Sequence, residues 1–118
     1  MYKIPNDLEI VKLKNELISQ VCFGLNHIIL FFSKGSIQIS GSFSVCINGV
    51  TFSYLEVYPV NNDFGLLHLL EKRIVNVNIK DERTSLRLEF EGGIILNLKS
   101  NELYESFEIN FDGRRVII

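Results

Sequence analysis

The chain is short of most features that announce a catalytic, membrane or nucleic-acid role. No apolar run approaches the length that spans a bilayer; the longest, Ile28–Phe32, is strand-sized. The N-terminus, Met1-Tyr2-Lys3-Ile4-Pro5-Asn6-Asp7, lacks the apolar core and small-residue cleavage site of a signal peptide. Neither sign of charge is in excess: 12 Lys and Arg stand against 14 Asp and Glu, a formal net charge of −2. Binding a polyanion requires a concentrated basic surface that displaces counterions, and the adjacent pairs Lys72-Arg73 and Arg114-Arg115 are too few. These shortages predict a cytoplasmic protein with no membrane and no nucleic-acid partner.

Chemistry-bearing residues are equally sparse. There are two cysteines, Cys22 and Cys46, both in apolar, strand-like runs. They read as buried, reduced thiols of an intracellular protein, with a single disulfide between them as the alternative. The two histidines, His27 and His68, lie far apart, and with the cysteines they lack the short paired spacings of a zinc site. The carboxylate pairs Glu89 with Glu91 and Glu105 with Glu108 read as solvated charge rather than as an acid–base pair. No Ser, Thr or Cys stands in a nucleophile motif, and no phosphate-binding helix follows Gly24 or Gly92-Gly93. The expectation is a protein without catalytic residues, metal or cofactor, and not an enzyme.

What the sequence does contain is a repeat. Asn6-Asp7 ahead of an apolar-periodic segment recurs 56 residues later as Asn62-Asp63, so Leu8, Val11 and Leu13 match Phe64, Leu67 and Leu69. Asn and Asp can satisfy the unpaired N–H groups of a first helical turn, so the reading is two capped amphipathic helices, the second ending near Lys72-Arg73. Strand-like segments follow in the same order. Ile18, Val21 and Phe23 match Ile74, Val77 and Ile79; Ile28, Leu30 and Phe32 match Leu86, Leu88 and Phe90 at an offset of 58. Both halves then turn at glycine, at Gly35 and at Gly92-Gly93, and continue into a third strand. Phe43, Val45 and Ile47 match Phe107, Ile109 and Phe111 at an offset of 64, leading into Asn48-Gly49 and Asp112-Gly113. These dipeptides suit type I′ hairpins, in which both central residues need positive φ. The added residues fall in the polar segments 80–85 and 99–104, where loops absorb insertions.

The architecture predicted is α+β: a helix followed by a five-strand antiparallel meander, present twice, at about residues 4–58 and 60–118. With only Pro59-Val60-Asn61 as the joint, the two copies pack as one pseudo-twofold domain over residues 1–118. Leu86, Leu88 and Phe90 alternating with Arg87, Glu89 and Glu91 indicate a sheet with one wet face.

The halves differ in three places: the strand bearing Tyr54 and Tyr58, the segment 80–85 and the segment 99–104. Tyr54, Glu56 and Tyr58 recur at even spacing, and Tyr104-Glu105 opens the corresponding region of the second half. Aromatics are enriched at interface centres, so Tyr54, Glu56, Tyr58, Tyr104 and Glu105 form the candidate binding patch, with Phe52 assigned to the core.

The segments Gln20-Val21-Cys22-Phe23-Gly24-Leu25 and Tyr104-Glu105-Ser106-Phe107-Glu108-Ile109, with the Phe-x-x-Gly turns, are spread over most of the chain. In these the sequence resembles a family of short bacterial proteins of unknown function, and small β-rich proteins of this kind are similar to immunity proteins of bacterial toxin systems. The resemblance implies a binding role, with no catalytic residue to carry over. Two functions follow as expectations. One is a protein-binding module of immunity or antitoxin type, facing a toxin-like protein partner and able to homodimerise through an unpaired sheet edge such as residues 114–118. The other is a small-molecule-binding protein or degenerate enzyme using a cavity between the halves.

Overall fold

The computed structural model describes residues 3–57, 65–101 and 105–118. Ten strands account for about half of them: β1 (Gln20–Phe23), β2 (Ile28–Phe32), β3 (Gly35–Ile39), β4 (Phe43–Ile47), β5 (Val50–Tyr54), β6 (Ile74–Lys80), β7 (Ser85–Phe90), β8 (Ile94–Lys99), β9 (Phe107–Phe111) and β10 (Arg114–Ile117). They form two antiparallel sheets, ordered β1-β2-β3-β9-β10 and β5-β4-β8-β7-β6. Alternation in the sequence becomes alternation in burial. Ile28, Leu30 and Phe32 of β2 and Leu86, Leu88 and Phe90 of β7 are buried, with half-buried residues between them. One apolar cluster draws on the inner faces of both sheets.

The α+β expectation is overturned: among the described residues the fold is nearly all β, and neither predicted helix forms. Each is a single 3₁₀ turn, η1 (Ile10–Leu13) and η2 (Leu66–Leu69). Asp7 does not cap the first; its carboxylate accepts a 2.9 Å bond from the Arg114 guanidinium, while Glu9 stands at the cap position with its carboxylate on Lys12 at 2.9 Å rather than on a backbone N–H. Asn62 and Asp63 lie outside the described residues.

The reason the helices stop is visible in the backbone. Asn15 (φ +74°) and Glu71 (φ +64°), 56 residues apart, both adopt the left-handed conformation that ends a helical turn. The chain then runs extended, and the two copies meet. Leu17 bridges Arg73 antiparallel; Asn15 N–H donates to the Ile74 carbonyl, and Glu71 N–H to the Ile18 carbonyl. Ile18 N–H bonds the Lys72 carbonyl, as Ile74 N–H bonds that of Glu16. Each of these bonds maps onto its mate when the copies are exchanged, so a local twofold axis passes between Leu17 and Arg73. A longer helix would remove the residues that make this contact.

The five-strand meander is also corrected. Only the first three strands of each copy are a meander; the hairpin that follows crosses to the other copy's sheet. Thus β4 pairs with β8, Val45 opposite Leu96, and β9 pairs with β3, Ile109 opposite Ile37. The repeats are interleaved, each sheet being three strands of one copy extended by two of the other.

The matching of the third strands shifts as well. Gly35 is not a turn residue: it opens β3, paired with Phe32 and Phe111, whereas Gly92 (φ +82°) and Gly93 (φ +77°) make the turn before β8. The hairpin turns behave as their sequences require. Asn48 (φ +52°) and Gly49 (φ +81°) are matched by Asp112 (φ +52°) and Gly113 (φ +80°). No helix among the described residues is long and apolar enough to cross a membrane.

Candidate functional site

Because each sheet is built the same way, the positions where the copies differ stand out. The end strands are β1 and β10 in one sheet and β5 and β6 in the other, and β10 and β5 are the equivalent pair contributed by the exchanged hairpins. On β10, Arg114 pairs with Asp7 at 2.9 Å and Arg115 with Glu108 at 2.6 Å. Charged side chains of this kind blunt an edge against pairing with another strand. The Glu108 carboxylate also accepts a 2.9 Å bond from the Asn110 amide. These two partners, Asn110 first and then Arg115, hold its pKa below the ordinary value of 4.5.

A depressed carboxyl adds stability that is complete above the ordinary glutamate value and lost as pH falls through the lower folded one. Glu108→Gln is therefore expected to lower the unfolding free energy from urea titration near neutrality by about 1 kcal/mol or less, because Arg115 is exposed. The difference from wild type should close as the titration is repeated below pH 4.5.

The β5 edge is the opposite. Val-Thr-Phe-Ser-Tyr carries no charge, and Val50 and Phe52 are 54% and 44% exposed, with Leu55 beyond the strand at 87%. Phe52, assigned to the core by alternation, faces inward on a strand whose outer edge no described strand pairs; its counterpart Val116 is buried. The two-residue turn makes Ile47 and Val50 a hydrogen-bonded pair, so alternation along the ladder directs the N–H and C=O groups of Thr51 and Ser53 away from β4.

Beside the end of this strand lies a groove of about 370 Å³. It collects all three departures from symmetry. Tyr54 and Leu55 come from the strand, Lys80, Asp81 and Ser85 from the lengthened loop, and Lys99 from the start of the lengthened connection, with Ser42, Ser44, Ser53 and Asn97 as its polar floor. Residues from both halves contribute, although the groove is at the end of the β5–β6 sheet rather than on the axis at Leu17 and Arg73. The loop is under strain. Asp81, Glu82 and Arg83 are consecutive left-handed residues (φ +52°, +56° and +71°), a conformation costing about 1–2 kcal/mol per residue. Arg83 helps hold it there, donating at 2.6 Å to the carbonyls of both Ile4 and Pro5.

The residues singled out from sequence fall as follows. The Tyr54 ring is half-buried and stacked on Phe43, with centroids 4.9 Å apart. Glu56 and Glu105 are exposed. Tyr58 and Tyr104 lie outside the described residues. Of the carboxylates considered for acid–base chemistry, Glu89 pairs with Arg87 of its own strand at 3.1 Å and accepts a 3.4 Å bond from the Asn76 amide of β6, and Glu91 accepts the Arg73 N–H at 2.7 Å. Cys22 and Cys46 are half-buried and unbridged, on different sheets. His27 sits in the β1–β2 turn and His68 in η2. Sequence reasoning missed Val50, Phe52 and the pairing of Lys80 with Lys99, although the two segments that carry these lysines had been marked by their insertions.

Comparison with profiles of known protein families, with curated proteins and with solved structures finds no match.

Proposed function

We propose that this chain is a non-catalytic protein-binding module that takes an extended segment of a partner protein onto the β5 edge. The observation that carries the reading is the contrast between equivalent edges. Two ion-paired arginines guard β10, while β5 offers outward backbone groups at Thr51 and Ser53 and exposed apolar side chains at Val50, Phe52 and Leu55. Strand addition draws affinity from the backbone groups and selectivity from the alternating side chains. The partner class that fits the sequence resemblance is a toxin-like protein, with this chain acting as its immunity or antitoxin protein in the cytoplasm.

Thr51→Pro removes one outward N–H without breaking a bond to β4, so the fold should survive, with the melting temperature within a few degrees of wild type. The protein encoded beside this gene, purified and mixed with wild type, is expected to protect the Thr51 and Ser53 amides from hydrogen exchange and to lose most of its affinity for Thr51→Pro. Equal affinity for the variant, or no binding to wild type, would overturn the proposal.

A further inference from the structure

The groove at the end of β5 has a chemistry of its own. Lys80, Ser85 and Lys99 are aligned across β6, β7 and β8 by strand register and lie on the same outer face. With strands about 4.8 Å apart, the two lysine Cα atoms are about 10 Å apart, a span that two extended side chains close onto one oxyanion. Neither ammonium is engaged in an ion pair among the described residues. The one acid on the lining, Asp81, accepts a 2.8 Å bond from the Ser85 hydroxyl, leaving two cations against one carboxylate. At the other end of the groove, the exposed Leu55 presents apolar surface.

The fold does not require lysine at these positions. Their counterparts in the other sheet are Gly24 and Ser40, and where this sheet has Ser44 the other has Glu108. The copies share a scaffold, and the cations were placed on one of them. The volume, about 370 Å³, lies within the range of small-ligand sites.

We propose that this groove binds a small organic anion, a carboxylate or phosphate carried on an apolar body. Its charge sits between Lys80 and Lys99, and its body lies against Leu55. The groove shares Ser53 and Leu55 with the β5 edge, but Thr51 does not line it and Lys80 and Lys99 lie away from that edge, so Thr51→Pro and the lysine variants separate the two readings.

The test is an amide-resolved NMR titration with phenyl phosphate, benzoate, inorganic phosphate and phenol. Phenyl phosphate or benzoate is expected to shift the amides of Tyr54, Ser85 and Lys99 saturably, and to bind about tenfold more tightly than inorganic phosphate or phenol. Whichever of the two binds identifies the acid group. The double variant Lys80→Ala, Lys99→Ala should keep its melting temperature and lose at least about tenfold in affinity, and Ser44→Glu should weaken binding in the same direction. Three results would overturn the site: no saturable shift with either anion, shifts confined to another surface, or undiminished affinity in the double variant.

Discussion

Gly35→Ala is expected to destabilise the protein by about 3 kcal/mol, at the upper end of what overpacking costs. A Cβ built at Gly35 falls 1.8 Å from the Asn110 carbonyl oxygen and 2.7 Å from its carbon. Both are backbone atoms of β9, so no side chain can rotate out of the way. The strand must move, and it is the strand that crosses from the second copy to complete the first sheet. In the melting temperature this amounts to about 10 °C for a chain of this length. Gly93→Ala is the matching control. It meets nothing within 4 Å and is penalised only for its positive φ, about 1 kcal/mol. Denaturant midpoints of the two variants measure the difference. A Gly35→Ala protein no less stable than Gly93→Ala would show that β3 and β9 are not packed this closely.

The second large effect concerns the exchange of hairpins. A chain severed between Val57 and Gly65 is expected to give two fragments that do not fold separately and that recover the sheet spectrum when mixed in equal amounts. The first fragment keeps β1-β2-β3 but has no β9 to cover β3, and its β4–β5 hairpin has no β8 to join. Three strands with half an apolar face uncovered fall short of the burial needed to offset chain entropy. Circular dichroism and proton NMR dispersion of each fragment, alone and mixed, provide the check. A fragment that folds as a monomer would contradict the dependence of each sheet on the other copy.

How much of this was legible in the sequence can be argued from particular residues. The turns at Asn48-Gly49 and Asp112-Gly113 were readable because positive φ at both positions restricts residue type strongly. The alternation at Leu86, Leu88 and Phe90 was readable because one face is buried. The helices were misread because Leu13 and Leu69 are buried at the spacing that a helix would also give, while the decisive event is a left-handed residue two positions on. Asn15 is a residue type that tolerates that conformation; Glu71 is not, and only the hydrogen bond to Ile18 across the axis explains it.

Strand exchange left no local signal, since a hairpin looks the same whichever sheet it joins. The site was legible only as a difference. Insertions marked the segments 80–85 and 99–104, but the groove depends on β7 lying between Lys80 and Lys99, which is a property of register. Phe52 was assigned to the core because alternation reports which face a residue takes, not whether anything covers it.

The interleaving also governs when the fold can form. Ile37 meets Ile109 about 70 residues later in the chain, so the first sheet cannot close until β9 has been made. During synthesis β3 and β4 wait with open edges while the whole second copy is translated. Few contacts that join the sheets are local, so loop closure precedes most of the energetic return and folding should be slow for a protein of this size. The outer edge of the uncharged β5 stays unpaired throughout, which adds to the open edges of β3 and β4 as a place for early pairing with another chain.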